Sequence, residues 1–242
     1  MTTIVSAFIS NINNNPTKSI KNYIEYGKLL LQANIPKIIF LDETIFDEFK
    51  NYSNELTKLI KITKEEIYLY KYINLLENFN LISTNPTKDT KEYMFIMCNK
   101  TEWIRQAIEL NIFNTSNFIW IDFGIKHIFN CENDEYIKKI EILYNKVYDK
   151  IRIGHIWDLN TNYNINLYNN ISWYFAGGVF GGNKENLIKF ANKTKEMCIK
   201  IIEEKHLIMW EVNIWYLVYI KNKDLFDCYW CSDHNNTLFD HY

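Results

Sequence analysis

Short apolar runs alternate along the chain with longer segments of helical periodicity. Ile4 to Ile9 is a β-branched and aromatic run that predicts a buried parallel strand. The polar stretch Ser10 to Asn15, followed by Pro16, reads as a loop. Ile20, Tyr23, Ile24, Gly27, Leu30 and Leu31 have helical spacing, and Pro36 to Leu41 is a second strand closed by Asp42. This β-α-β opening implies a parallel sheet with a right-handed crossover. Residues 43–80 read as helices, 93–98 as a strand, 100–110 as a helix and 118–121 as a strand ending in Asp122. An amphipathic helix is expected over 135–150, a strand over 152–157, and a strand over 171–180 that runs into Gly181 and Gly182. Helices over 185–204 and 209–220 and a last strand over 225–231 complete the pattern. No repeat and no domain boundary interrupts it. The expectation is one α/β domain over 1–242, with a mainly parallel sheet flanked by helices.

Composition narrows the function classes. Of 242 residues, 48% are hydrophobic, enough for a sizeable core, and the scarcity of Gly (7) and Pro (3) argues against linkers and low-complexity folds. The net charge of −2 gives no global basic field, so duplex nucleic acid is a poor partner and an anionic substrate needs a local site. Five scattered cysteines do not make a disulfide framework. Cys228-Tyr-Trp-Cys231 lacks the second pair a zinc site needs; buried thiols, redox chemistry and metal binding all remain readings of it. The N-terminus lacks the basic start of a signal peptide, and no apolar window is long enough to span a membrane. The chain is therefore expected in the cytoplasm, or, if viral, in the host cytoplasm or virion.

In open α/β sheets ligands bind at the carboxyl ends of the strands. That rule directs attention to Phe8–Asn11, Asp42, Asn99–Lys100, Asp122–Lys126 and Gly177–Gly182. Asp122, ending the apolar run FIWI, has the oxygen chemistry to coordinate a hard cation that bridges to phosphates. It also fits an ordinary turn aspartate. Gly124 allows backbone to approach a ligand. Gly177-Gly178 and Gly181-Gly182 hold four of the seven glycines, as a ligand-facing segment or as a bulge with helix entry. Glu211, beside Trp210 and near Asn213, is either a carboxylate facing a reacting group or an acid placed by the helix dipole. His234 is a candidate metal ligand or a loop residue. Lys100 and Arg105 meet phosphate charge or belong to a solvated helix face.

The segments IVSAFISN, PKIIFLD, CNKTEWIRQAI, FIWIDFGI, ISWYFAGGVFGG, MWEVNIWYLVY and the closing DHN, in this order, resemble the HtrL/YibB family, which includes WlaTC-like proteins. The resemblance covers nearly the whole chain; WIDFGI and FAGGVFGG are its specific blocks. It implies a place in surface-polysaccharide biosynthesis. A more distant likeness links the chain to the blood-group A/B transferases. Ser6–Ile9 resembles their uracil-binding first strand, Asp122-Phe-Gly124 stands where they carry D-x-D, and Phe180-Gly-Gly182 matches their FGG block. Gly124 in place of the second carboxylate is the departure.

These resemblances imply a GT-A type glycosyltransferase with a Rossmann-like sheet, a hexosyl- or N-acetylhexosaminyl-transferase. It would move a sugar from a UDP-linked donor to a glycan or glycoconjugate acceptor with the help of Mn²⁺ or Mg²⁺. The implied donor-binding residues are Ala7, Phe8, Ile9, Asn11, Asn99, Lys100, Arg105, Asp122, Gly124, Gly177, Gly178 and Trp210. Asp122 and His234 would hold the cation, and Glu211 would face the anomeric carbon. Two alternatives stand beside this reading. One is a degenerate GT-A protein that binds a sugar or partner without turnover. The other is a sugar nucleotidyltransferase, ranked below because SNINNNPTKS lacks a Gly-rich basic loop.

Overall fold

The computed structural model describes residues 1–10, 19–77, 83 and 85–242. A seven-stranded sheet runs in the order β3-β2-β1-β4-β6-β5-β7. Its strands are β1 (Thr2–Phe8), β2 (Lys37–Asp42), β3 (Thr57–Ile62), β4 (Asn117–Ile121), β5 (Ile151–His155), β6 (Val179–Asn183) and β7 (Phe226–Trp230). Four neighbouring pairs are parallel; β6 alone is antiparallel to both its neighbours, β4 and β5. The expected mixed, mainly parallel α/β architecture is therefore observed.

The helices are α1 (Ile20–Gln32), α2 (Phe46–Phe49), α3 (Lys91–Cys98), α4 (Lys100–Leu110), α5 (Asn133–Ile142), α6 (Lys184–Lys205), α7 (Glu211–Tyr219) and α8 (Thr237–Asp240). Residues of α3, α4, α6 and α7 pack on one face of the sheet, while α1, α5 and α8 cover the other. Both faces are buried, so the central strands are largely apolar, with Thr2, Thr3 and Ser6 of β1 and Asn117 of β4 as buried polar residues. In β4, Phe118 and Trp120 enter one core while Ile119 and Ile121 enter the other.

Four local expectations are corrected. The segment 93–98 is helix α3, capped by Thr90, whose hydroxyl accepts from the Tyr93 amide at 3.1 Å. Its apolar run has no decisive period, because Met94, Phe95, Ile96 and Cys98 are all buried. Within 43–80, the stretch Thr57-Lys-Leu-Ile-Lys-Ile62 is edge strand β3, with Lys58 and Lys61 exposed, one on each face. Around it lie the short α2 and 3₁₀ turns rather than long helices. Helix α5 stops at Ile142 and a 3₁₀ turn follows. The chain beyond is tied down by Tyr148 N donating to Asn117 Oδ1 at 2.9 Å and by Thr2 donating to the Lys146 carbonyl at 2.5 Å. The strand expected over 171–180 begins only at Val179. The preceding loop is held by a side chain instead: Asn213 Oδ1 accepts from Ser172 N at 2.8 Å and Oγ at 2.7 Å. Asn213 Nδ2 donates to the carbonyls of Leu167 and Asn170, both at 2.7 Å.

No helix among the described residues is long and apolar enough to cross a membrane. The five cysteines are free thiols; Cys228 lies within β7 and Cys231 just beyond it.

Candidate functional site

The carboxyl ends of β1, β2 and β4 share one edge of the sheet, and antiparallel β6 begins at the same edge. At β2, Asp42 spends its carboxylate on structure: it accepts from Ser10 N at 3.0 Å and from Thr44 N and Oγ1, each at 2.9 Å. At β4 the chain continues into Asp122, whose amide donates to the Gly178 carbonyl at 3.0 Å. That bond draws the Gly177-Gly178 turn alongside Asp122.

Lys100 binds these pieces together. It is the first residue of α4 and fully buried. Its ammonium lies 2.9 Å from Asp122 Oδ1 and 3.1 Å from Glu211 Oε1, and donates to the Gly177 carbonyl at 3.0 Å. An ammonium has three N–H donors, and these partners take all three. Burial works against the charge of Lys100, yet the two carboxylates outweigh it and hold its pKa above the ordinary lysine range. Asp122 Oδ1 also accepts from the Trp120 indole at 2.7 Å, while its side chain stays 37% exposed at the cavity. Glu211 starts α7, where the helix dipole favours its charge. A Cβ on Gly177 would sit 2.6 Å from Glu211 Oε1, so glycine there makes room for the carboxylate.

Two adjoining cavities open on this edge. The first is aromatic: Ala7, Phe8, Ile9, Tyr23, Phe123 and Gly124 line it together with Asp122. Phe8 stacks on Tyr23 and on Phe123, with ring planes within 9° and 11° of parallel. A Cβ at Gly124 would run into the Tyr23 ring, so this glycine serves the aromatic stack. Burial, reinforced by the Asp122 charge, pushes the Tyr23 phenol up to about 12. The second cavity is charged: Lys88, Lys100, Asp122, Glu211 and His234 line it, with Trp173, Trp210, Gly177 and Gly178. Tyr93, Met97, Asp122 and His127 belong to both walls.

The structure thus brings together Ala7, Phe8, Ile9, Lys100, Asp122, Gly124, Gly177, Gly178, Trp210, Glu211 and His234. It leaves others elsewhere. Arg105 lines neither cavity; its guanidinium pairs with Glu102 and Glu109 on its own helix. The reason is helical spacing: Arg105 lies five positions beyond Lys100, and carboxylates three before and four after it hold it along the helix. Asn99 caps α4 with its carbonyl and does not line either cavity. Asn11 lies outside the described residues. Gly181 and Gly182 are packing positions: Tyr242 and the Phe118 carbonyl press on the first, and the second has φ +152 beside the Lys150 carbonyl.

Sequence reasoning missed Lys88, Tyr93, His127 and Trp173. Tyr93 was hidden by the strand assignment, since only the helix turns its ring toward both cavities. His127 donates from Nδ1 to the Gly124 carbonyl at 2.7 Å, which leaves its Nε2 edge unused by that bond. Only its short distance from Asp122 in sequence could have marked it.

The cation expected at Asp122 and His234 has a sparse donor set. Both residues line the charged cavity. Burial lowers the His234 pKa, with Asp233 opposing, which suits a neutral ligand nitrogen. Yet among the described residues no group of three His, Cys, Asp or Glu side chains gathers around a common point. Asp122 already serves Lys100 and Trp120. This donor set does not fit a cation held by protein alone; it fits one whose remaining ligands come from phosphate oxygens and water.

Among curated proteins no sequence matches the chain. The solved structure of mouse xyloside xylosyltransferase 1 in its apo form superposes on 93% of this chain and covers 84% of its own, with 9% sequence identity and a TM-score of 0.46. A family model described as "Bacterial protein of unknown function (HtrL_YibB)" matches residues 1–241. The chain belongs to the HtrL_YibB family.

Proposed function

We propose that this chain is a glycosyltransferase of GT-A type that moves a sugar from a UDP-linked donor to a glycan or glycoconjugate acceptor. One observation carries the reading: an uncharged aromatic cavity and a charged cavity meet at Asp122, on the carboxyl edge of the sheet. A flat base suits the Phe8, Tyr23 and Phe123 wall, and the diphosphate and sugar suit the wall of Lys100, Asp122, Glu211 and Gly178.

In this reading Lys100 is a positioning residue. It holds Asp122 and Glu211 in place before the donor arrives, which is the preorganisation that electrostatic catalysis needs. Glu211, beside the Gly177 backbone, faces the reacting sugar as the base for an acceptor hydroxyl or as the group that stabilises the anomeric carbon. The stereochemistry of the product separates these two roles. A divalent cation, when bound with the donor, would neutralise the leaving diphosphate, with Asp122 and His234 as its protein ligands.

The reading is tested by thermal shift with UDP-, GDP- and TDP-sugars, with and without Mn²⁺. A donor at about 100 times its dissociation constant stabilises by roughly 2.7 kcal/mol. UDP-sugars are expected to give the largest shift, larger still with Mn²⁺, and no shift with any donor overturns the proposal. A second reading, binding without transfer, draws on Gly124 in place of a second carboxylate and on the occupied state of Asp122. Donor binding with no turnover on any glycan acceptor would favour it.

A further inference from the structure

The proposed reaction needs a cation facing the diphosphate, and Lys100 and Arg105, suggested for that task, are engaged, as is Lys126. All three donors of Lys100 are taken. Arg105 is held by two glutamates outside the cavity. Lys126 donates to the carbonyls of Phe129 and Cys131 and does not line the charged cavity.

Lys88 is different. It lines the charged cavity together with Asp122 and Glu211 and is 19% exposed, so it is neither sealed in the core nor loose in solvent. Its ammonium lies 2.8 Å from Asp89 and 4.9 Å from the centre of the Tyr93 ring, the ring shared by both cavities. Asp89 is itself buried and accepts from Ser83, so it anchors the lysine near the cavity. One carboxylate leaves an ammonium two further N–H donors. Lys100 against Asp122 and Glu211 leaves the wall at −1, which repels a diphosphate; Lys88 is the further cation among the described lining residues, and its counter-charge Asp89 is not part of the lining.

Resting on the glycosyltransferase reading, we propose that Lys88 is the residue that recognises the donor's diphosphate, sharing its charge between Asp89 and a phosphate oxygen. A nucleoside diphosphate is then preferred over the nucleoside because of Lys88, while base recognition stays with the aromatic wall. The role belongs to binding; no bond is made or broken at Lys88.

The experiment measures UDP and uridine affinity by calorimetry, with Mg²⁺ present throughout, for the parent, Lys88→Met and Lys88→Arg. The parent is expected to bind UDP at least tenfold more tightly than uridine. Lys88→Met is expected to lose most of that ratio with uridine affinity unchanged, and Lys88→Arg to keep it. Loss of both affinities in Lys88→Met would make the residue structural and overturn the assignment. So would a UDP-to-uridine ratio equal to the parent's. Failure of the parent to bind UDP would overturn the glycosyltransferase reading together with this one, and so separates the two failures.

Discussion

Two lysines in this molecule are buried to the same degree, 1% exposed each, and meet opposite fates. Lys37 starts β2 at the amino edge of the sheet, where its ammonium donates to the carbonyls of Ala33 at 2.5 Å and Ile35 at 2.9 Å. Burial pulls its pKa down to about 8, and a distant Glu141 only partly restores it. Lys100 stands at the carboxyl edge between two carboxylates, and its pKa rises. Burial by itself drives a lysine toward neutrality; only opposite charge at contact distance reverses that. The amino edge uses its lysine to close a turn. The carboxyl edge keeps a charge that nothing in the packing requires, and with it two carboxylates aimed at a cavity.

The sharpest break of that contrast is kinetic. Glu211→Gln keeps the shape beside Gly177 but removes charge and basicity. We expect transfer to fall by about a hundredfold or more, the span typical of general acid–base groups, with UDP affinity near the parental value. Side-by-side turnover and calorimetry check this. Near-parental turnover removes Glu211 from the chemistry, and an equal loss of UDP affinity makes it a binding residue.

The next effect is on stability. Lys100→Met leaves Asp122 and Glu211 facing each other without their shared cation. Removing one partner of a buried ion pair costs about 3–5 kcal/mol, or on the order of 10 °C in a domain of this size. Lys37→Met should cost far less at pH 7. It removes a desolvated charge while leaving two carbonyls without a donor, and the two effects roughly cancel. Thermal melts of both variants against the parent give the comparison. Equal losses would erase the distinction between the two edges.

A smaller effect appears with pH. The folded pKa of Lys37, about 8, lies below its unfolded value, so the unfolded chain binds the proton more tightly. The ammonium therefore penalises folding below pH 8, and the penalty fades as pH rises toward the unfolded value. Over that window the parent should gain up to about 3 kcal/mol relative to Lys37→Met. The difference between the two proteins is the measurement, because burial raises the thiols of Cys228 and Cys231 to about 12 and their ionisation destabilises both proteins alike. A pH-independent difference would refute the depressed pKa.

How far these edges were legible in the sequence follows from the range of the signals. FIWID and PKIIFLD announce buried strands ending in acids, and the apolar run does place Asp122 at the sheet edge. Glu211 stood out because an apolar segment has no use for an unpaired carboxylate. What remained hidden is long-range. Lys100 meets Glu211 across 111 positions, and the closed arrangement of the three groups exists only once α4, β4 and α7 converge. Thr57 to Ile62 carries no clean alternation, because Leu59 and Ile60 face opposite cores, so strand β3 was lost in the surrounding helical pattern. Asn213, two positions from Glu211 on the same apolar segment, spends its amide on the loop over 167–172.

The smallest change tests the shared carboxylate. Asp122→Asn leaves an oxygen for the Trp120 indole, which is 2.7 Å away, and leaves Lys100 with Glu211 and the Gly177 carbonyl. One full partner thus remains for the buried ammonium, and a partly exposed pair contributes about 1 kcal/mol or less, so the fold should hold. The Lys100 pKa should fall toward that of Lys37 without reaching it. The cavity wall, however, loses its one carboxylate common to both cavities. With no anionic oxygen there, a divalent cation loses its strongest protein ligand. UDP affinity measured with Mn²⁺ should drop several-fold, while UDP affinity measured without metal should stay level or rise slightly, since a negative charge beside the diphosphate is gone. Calorimetry with and without Mn²⁺ decides it. If both affinities match the parent, Asp122 serves only as the counter-charge of Lys100, and the carboxyl edge resembles the amino edge more than its geometry suggests.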